Sequence, residues 1–448
     1  MTQTAPDAPA AASAASTYRL PGLLLTDHVF TVPLDHDAPA GEQIGLFVRE
    51  VAATDKRAAD LPYLLFLQGG PGQPAPRPVG RENWLDRALD EYRVLLMDQR
   101  GTGRSAAANR QMLTRLPSPQ AQARYLAHFR ADAIVRDAEL VRRALCGDQR
   151  WSVLGQSFGG FCVVSYLSTA PEGLREALIT GGLPGVDVGA DDVYRAAYRR
   201  VLAKNSAHYA RYPGDVSRAR LVAAHLRDHT VRLPGGGQLT VEAFQALGNL
   251  LGMSTGSHKL HYLLEDPFIE TAGGRQLSDA FLEQVQAQLS FAANPLYAVL
   301  HEACYAQRSA RCATRWSAQR IRTEFDEFDA GAALAGHSPV LFTGEMIYPW
   351  MFRTDPALQP LREAAELIAE RDTWPDLYET EQLKANTVPT AAIVYHDDMY
   401  VDREHSLRTA HLIRGLKTWV TSEYEHDGLR THGGAILDRL IALVRDNA

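Results

Sequence analysis

The chain has 448 residues, a formal net charge of −7, and 46% hydrophobic against 22% charged residues. That length can bury a large core, or a core plus an insertion, and without a basic stripe a nucleic-acid partner is not expected. Cys146, Cys162, Cys304 and Cys312 lack CxxC spacing, there is no His-Glu-x-x-His and no phosphate loop, and no apolar run could span a bilayer, which argues against a disulfide framework, a zinc site and a membrane partner.

Residues 1–16 are rich in Ala, Pro, Thr and Ser, with neither a basic start nor a Leu-rich segment. They read as a disordered tail rather than a signal peptide, and the protein is expected in the cytoplasm. Residues 28–34 and 44–51 alternate apolar and polar side chains, as antiparallel strands at a sheet edge do. Residues 62–67 are nearly all apolar, the pattern of a strand covered on both faces, and run into Gln68-Gly69-Gly70-Pro71-Gly72. A second such strand, 92–97, ends in Asp98-Gln99-Arg100-Gly101-Thr102-Gly103-Arg104-Ser105. The spacing of Ile134, Val135, Ala138, Val141 and Leu145 predicts a helix over 132–145.

The stretch 151–156 is a further apolar strand. It ends in Gly155-Gln156-Ser157-Phe158-Gly159, and a helical pattern follows to about 169. A strand starts at 177–180. From 186 to 385 the pattern is mostly helical, with no buried strand evident. Strand character returns at 390–395, ending in His396-Asp397-Asp398-Met399, and again at 418–424, ending in Glu425-His426-Asp427-Gly428. Helices are expected at 407–413 and 434–444. The chain therefore divides into a tail (1–16), the first part of an α/β core (17–185), a helical cap (186–385) and the second part of the core (386–448). Strands alternating with helices predict a mostly parallel sheet, whose ligands sit beyond the strand C-terminal ends.

Gly-x-Ser-x-Gly between a strand and a helix forces a tight turn that lifts the serine hydroxyl above the sheet. A serine hydroxyl needs an imidazole to take its proton and a carboxylate to orient that imidazole. The order Ser157, acid, His426 is that of the α/β-hydrolase fold. His426 directly follows the last strand; its competitor His432 lies at the start of the final helix. Asp397 and Asp398 point to different sides by alternation; Asp398 is preferred as the acid, and the choice stays open. The oxyanion donors expected in this fold are the N–H of Phe158 and an N–H of the 69–72 loop, of which Gly70 is chosen because Pro71 has none. Gly-Thr-Gly at 101–103 lacks the third glycine of a dinucleotide site; Asp98 and Arg100 are expected to form an ion pair bracing the Gly70 loop.

Gly69-Gly70-Pro71-Gly72, Asp98 through Ser105 and Gly155-Gln156-Ser157-Phe158-Gly159-Gly160 together resemble the proline iminopeptidase (prolyl aminopeptidase) family, in its longer branch with an enlarged cap. The likeness extends to Pro295-Leu296-Tyr297, His301-Glu302, Gly344-Glu345-Met346-Ile347-Tyr348-Pro349-Trp350 and Asp398-Met399-Tyr400-Val401-Asp402. The resemblance implies a metal- and cofactor-free serine exopeptidase that removes an N-terminal residue, preferentially proline, from peptides with a free N-terminus. It also implies cap carboxylates that bind the substrate ammonium, with Glu302 and Glu345 as candidates. Tyr348 and Trp350 are candidates for stacking on a pyrrolidine ring, or else belong to the cap core. A homo-oligomer is compatible with the sequence and not required by it. The competing reading within the fold is a carboxylesterase or tripeptidyl-type aminopeptidase. A catalytically silent binding protein fits an intact Ser/Asp/His set least, and a dehalogenase or epoxide hydrolase would need Asp in place of Ser157.

Overall fold

The apolar runs that alternate with helical patterns assemble into one sheet in the computed structural model, which describes residues 12–310 and 313–445. Strands β1 (Ala12–Leu20), β2 (Leu23–Pro33) and β3 (Gln43–Ala53) form an antiparallel meander. Strands β4 (Tyr63–Leu67), β5 (Arg93–Met97), β6 (Trp151–Gln156) and β7 (Leu174–Thr180) follow. The chain then leaves the sheet for a cap containing two short hairpins, β8 (Val231–Arg232) with β9 (Gln238–Leu239) and β10 (Phe268–Thr271) with β11 (Gly274–Leu277). It returns as β12 (Thr390–Tyr395) and β13 (Lys417–Thr421). The order across the nine-stranded sheet is β1-β2-β3-β5-β4-β6-β7-β12-β13. From β5 to β13 all neighbours are parallel, and β3 meets β5 antiparallel.

The apolar runs are continuous because the parallel strands are covered on both faces. Leu65, Leu67, Val153 and Ile179 face the helices Ala131–Cys146 and Phe158–Thr169. Leu64, Phe66, Leu154 and Ile393 face the helices Asn83–Ala88 and Gly428–Arg445. β2 keeps the alternating burial of an edge region.

The structure changes some of these expectations. Residues 12–16 are not a free tail, since β1 pairs Ala12 with Phe30 and Ser16 with Asp27; the backbone finds ladder partners although the side chains are small. Residues 1–11, and Cys312, lie outside the described residues. The cap is helical as expected, its longest helix being Ala190–Arg211, but the two hairpins are too short and exposed to carry an apolar signature.

Asp98 and Arg100 do not pair with each other. β5 ends at Met97 and the chain is already turning at Arg100, so the two side chains part. Asp98, fully buried, accepts from the Ala75 N–H (3.0 Å), the Arg104 N–H (2.8 Å) and the Arg77 guanidinium (Nη1, 2.8 Å). Asp98 thus does brace the segment after Gly70, with Arg77 as the cation. Arg100 instead pairs with Asp137 at 2.6 Å on the helix Ala131–Cys146, and donates to the Leu34 and His128 carbonyls. With the Pro33 carbonyl and the His36 ring as further partners, the buried guanidinium ties the meander to the helix layer.

The parallel strands bring β4, β6 and the helix after β6 into close contact. A Cβ on Gly159 would stand 1.9 Å from the Leu67 carbonyl oxygen, and one on Gly155 2.4 Å from the Gly159 oxygen. Gly159→Ala is therefore expected to cost at least about 3 kcal/mol in urea unfolding, because backbone and not a flexible side chain must move. Gly45→Ala, in a strand position with no atom within 4 Å, should leave the midpoint nearly unchanged; equal tolerance at both sites would show that the strand–helix contact is slack.

Candidate active site

Four strand ends deliver the site. Ser157 sits in the turn after β6 with φ 55 and ψ −123, a strained conformation for a residue with a Cβ, costing about 1–3 kcal/mol. It is held there because its N–H donates to the Thr180 carbonyl (2.9 Å) and its carbonyl accepts from Gly160 (2.7 Å). The hydroxyl meets His426 Nε2 at 2.9 Å, and His426 Nδ1 meets Asp398 Oδ2 at 2.7 Å. Asp398, 1% exposed, follows β12; its other oxygen accepts the Tyr400 and Val401 N–H groups at 2.8 and 3.1 Å. His426 follows β13, is buried, and has the Tyr400 ring edge-on at 4.8 Å. Burial alone would lower its proton affinity, but the Asp398 carboxylate outweighs burial and lifts its pKa above 6.5.

The geometry separates the two histidines and the two aspartates. Asp397 is exposed and bonded to His396. His432 is exposed, sits where the helix Gly428–Arg445 kinks, and contacts the Thr431 hydroxyl at 3.0 Å. Neither reaches Ser157. Such a hydroxyl–imidazole–carboxylate chain can move a proton off the hydroxyl and hold the resulting imidazolium.

A cleft of 1390 Å³ between sheet rim and cap reaches Ser157, His426, Gly70, Tyr297, Glu345 and Trp350. Gly70, at φ 129, and Phe158 border Ser157. Among the described residues no acceptor is found for the Gly70 or the Phe158 N–H. The cap docks on this loop through the helix Pro295–Leu300, whose N-cap Asn294 takes the Tyr297 N–H. A Cβ on Gly72 would meet Asn294 Oδ1 at 2.4 Å, so glycine is required for the cap to seat.

Glu345 is half-buried and accepts from the Tyr297 hydroxyl at 2.5 Å; no ion pair to it is found among the described residues. Burial, and then the Glu345 charge, holds the Tyr297, Tyr305 and Tyr400 phenols above their ordinary range. Glu302 is a different case, and its expected place in the cleft is corrected. It lies outside the cleft lining, 6% exposed, with its two oxygens accepting the Ser317 and Ala318 N–H groups at 3.0 and 2.9 Å. It thus caps the helix Ser317–Arg322, and burial pushes its pKa up to about 7. Tyr348 is also withdrawn: fully buried, its hydroxyl meets that of Tyr198 at 2.9 Å. It stacks behind Trp350 at 5.6 Å, and Trp350 alone of the pair faces the cleft.

Sequence reasoning missed Arg77 and Tyr297. Asn294-Pro295 is a legible helix start, yet nothing in the pattern says that the tyrosine two residues on will meet Glu345. No cluster of three or more His, Cys, Asp or Glu suited to a metal occurs among the described residues.

A family model of the alpha/beta hydrolase fold matches residues 62–235. The chain is 50% identical over 430 residues to a proline iminopeptidase of Aeromonas sobria, covering 96% of this chain and 98% of that one. It is 33% identical to the proline iminopeptidase aneH of Aspergillus aculeatus, over 93% of each. A shorter likeness, 25% over 198 residues, links 37% of this chain to 36% of a tripeptidyl aminopeptidase of Streptomyces lividans. Identity at that level over nearly the whole of both chains leaves one assignment: the chain belongs to the proline iminopeptidase family of α/β-hydrolases.

Proposed function

We propose that the protein is a serine aminopeptidase that releases N-terminal proline from peptides through an acyl-enzyme. The observation that carries this reading is an unpaired carboxylate, Glu345, in the same cleft as the Ser157–His426–Asp398 chain. Ser157 Oγ attacks the carbonyl of the first residue while His426 Nε2 takes its proton, and Asp398 stabilises the imidazolium. The oxyanion is held by the Gly70 and Phe158 N–H groups. His426 then protonates the leaving peptide nitrogen. Water, deprotonated by His426, cleaves the prolyl ester. Glu345 holds the substrate ammonium, which fixes the chain end that enters and makes the enzyme an exopeptidase. Trp350 flanks the cleft as an apolar wall. A cytoplasmic setting suits Cys146, Cys162 and Cys304, all free thiols.

The direct test is a pair of chromogenic amides. N-acetyl-prolyl amide should be cleaved about a thousandfold less well than prolyl amide, since blocking the amine leaves Glu345 without its cation. Equal turnover, or release of tripeptides from longer chains, would overturn the aminopeptidase reading.

Ser157→Ala and His426→Ala should each lower kcat about 10⁴-fold or more, with the double variant little worse than either, whereas His432→Ala should be mild. A large loss at His432 would mean that the base is wrongly assigned. Glu345→Gln should raise KM for free-amine substrates. Glu302→Ala should instead leave KM alone and cost about 1–3 kcal/mol of stability by orphaning two buried N–H donors; a KM rise matching that of Glu345→Gln would return Glu302 to the amine site.

The acidic limb of the kcat/KM profile follows His426, which must be neutral to accept the Ser157 proton. Its folded-state pKa is raised by Asp398, so activity should fall as pH drops through a midpoint above 6.5. Asp398→Asn removes the raising charge and should move that midpoint down while kcat collapses; an unmoved limb would assign it to another group.

A further inference from the structure

Beside Ser157 a narrow recess shares Gly70, Ser157 and Glu345 with the main cleft. Its other walls include Phe161, Tyr305, Val401 and His301. His301 stands apart from the rest of the molecule. It is 3% exposed, and among the described residues neither buried ring nitrogen makes a well-formed hydrogen bond, the Glu345 backbone being its nearest polar influence. The ring is also held rigidly. It stacks on Tyr297 one helical turn earlier, at 5.0 Å and 27°, and meets Tyr305 edge-on at 6.0 Å. Its backbone N–H donates to the Tyr297 carbonyl. Tyr297 in turn donates its hydroxyl to Glu345, so imidazole and carboxylate are set by one short helix. Burial keeps the imidazole less basic than usual even though Glu345 opposes the effect. The ring is therefore neutral and has a lone pair to offer.

A buried imidazole whose acceptor nitrogen lacks a donor is costly in the free enzyme, and a ligand that supplies a donor removes that cost. On the functional reading above, the donor is the substrate's terminal nitrogen. We propose that His301 is a specificity-determining residue: its lone pair and the Glu345 carboxylate are two acceptors that match the two N–H groups of a secondary ammonium. Proline satisfies both acceptors and has no further N–H. A primary ammonium brings a third N–H for which neither of these two acceptors is left, in a recess whose other walls include Phe161, Tyr305 and Val401. Preference for proline then comes from the number of N–H donors, not only from the shape of the pyrrolidine ring. N-methylated amino acids at the chain end belong to the same substrate class.

The test uses three amides: prolyl, alanyl and N-methylalanyl. N-methylalanine is secondary but acyclic, so it separates donor count from ring shape. The wild-type enzyme should favour N-methylalanyl over alanyl amide by about tenfold or more in kcat/KM. His301→Phe, which keeps the stack and loses the acceptor, should raise KM for prolyl amide more than it lowers kcat. It should also flatten both the prolyl/alanyl and N-methylalanyl/alanyl ratios. His301→Gln, which restores a carbonyl acceptor, should recover part of both. Unchanged ratios in a folded His301→Phe enzyme would make the residue structural and overturn the proposal. If that variant does not fold, the wild-type comparison decides: alanyl amide cleaved as well as N-methylalanyl amide overturns it. Wild-type cleavage of N-acetyl-prolyl amide at the free-amine rate would be a different failure, that of the aminopeptidase reading itself.

Discussion

The close approach of β4, β6 and the helix Phe158–Thr169 is the constraint on which the rest depends. Leu67 ends β4 against the backbone of Gly159, and Gly155 lies under the same turn. Only residues without a Cβ allow that contact, which together with the Ser157 bonds to Thr180 and Gly160 holds the serine in its strained conformation above the sheet. The Gly70 loop leaves β4 at the same place, so its N–H groups and the serine hydroxyl share one origin. Asp98 then clamps the continuation of that loop through the Ala75 N–H and Arg77. The cap helix Pro295–Leu300 seats on Gly72. Ser157, the proposed oxyanion donors and the cap wall that carries Glu345 are thus referred to one junction instead of to three independent loops.

Two glutamates of the cap illustrate how environment assigns roles to identical side chains. Glu302 and Glu345 both lie in apolar and aromatic surroundings in the sequence. Glu302 spends its oxygens on two backbone donors at a helix start and is pushed toward neutrality by burial. Glu345 has one tyrosine hydroxyl and faces open space. A carboxylate that is desolvated but not paired is a receptor for a cation from outside. The first glutamate stabilises the cap; the second is the one proposed to hold the substrate ammonium.

The same distinction separates the titrating groups around the hydroxyl. Asp398 receives two backbone N–H groups, which hold it in position to raise His426. His301, in the adjoining recess, is lowered by burial, which outweighs the opposing influence of Glu345. Two neighbouring histidines thereby shift in opposite directions, which suits one to accept a proton from Ser157 and, on the proposal above, the other to stay neutral beside the amine.

The sequence alone was enough for the parallel core, the strand-end placement of Gly70, Ser157, Asp398 and His426, and the helical cap, because each rests on local regularities. Continuous apolar runs, glycines at a strand–helix turn and the chain order of nucleophile, acid and base are all readable within a few residues. Asp398 over Asp397 needed the turn after β12, where one aspartate goes inward and its neighbour goes to solvent. Arg77 as the partner of Asp98, the capping role of Glu302, the withdrawal of Tyr348 behind Trp350 and the exposure of Glu345 were decided only by tertiary structure. Each depends on which backbone donors or apolar surfaces arrive from distant parts of the chain, and side-chain pairing across a cap leaves no periodic trace in sequence. β1 shows the same limit at the other end: its Ala- and Ser-rich residues carry no strand pattern, and their pairing exists because β2 offers an open ladder edge.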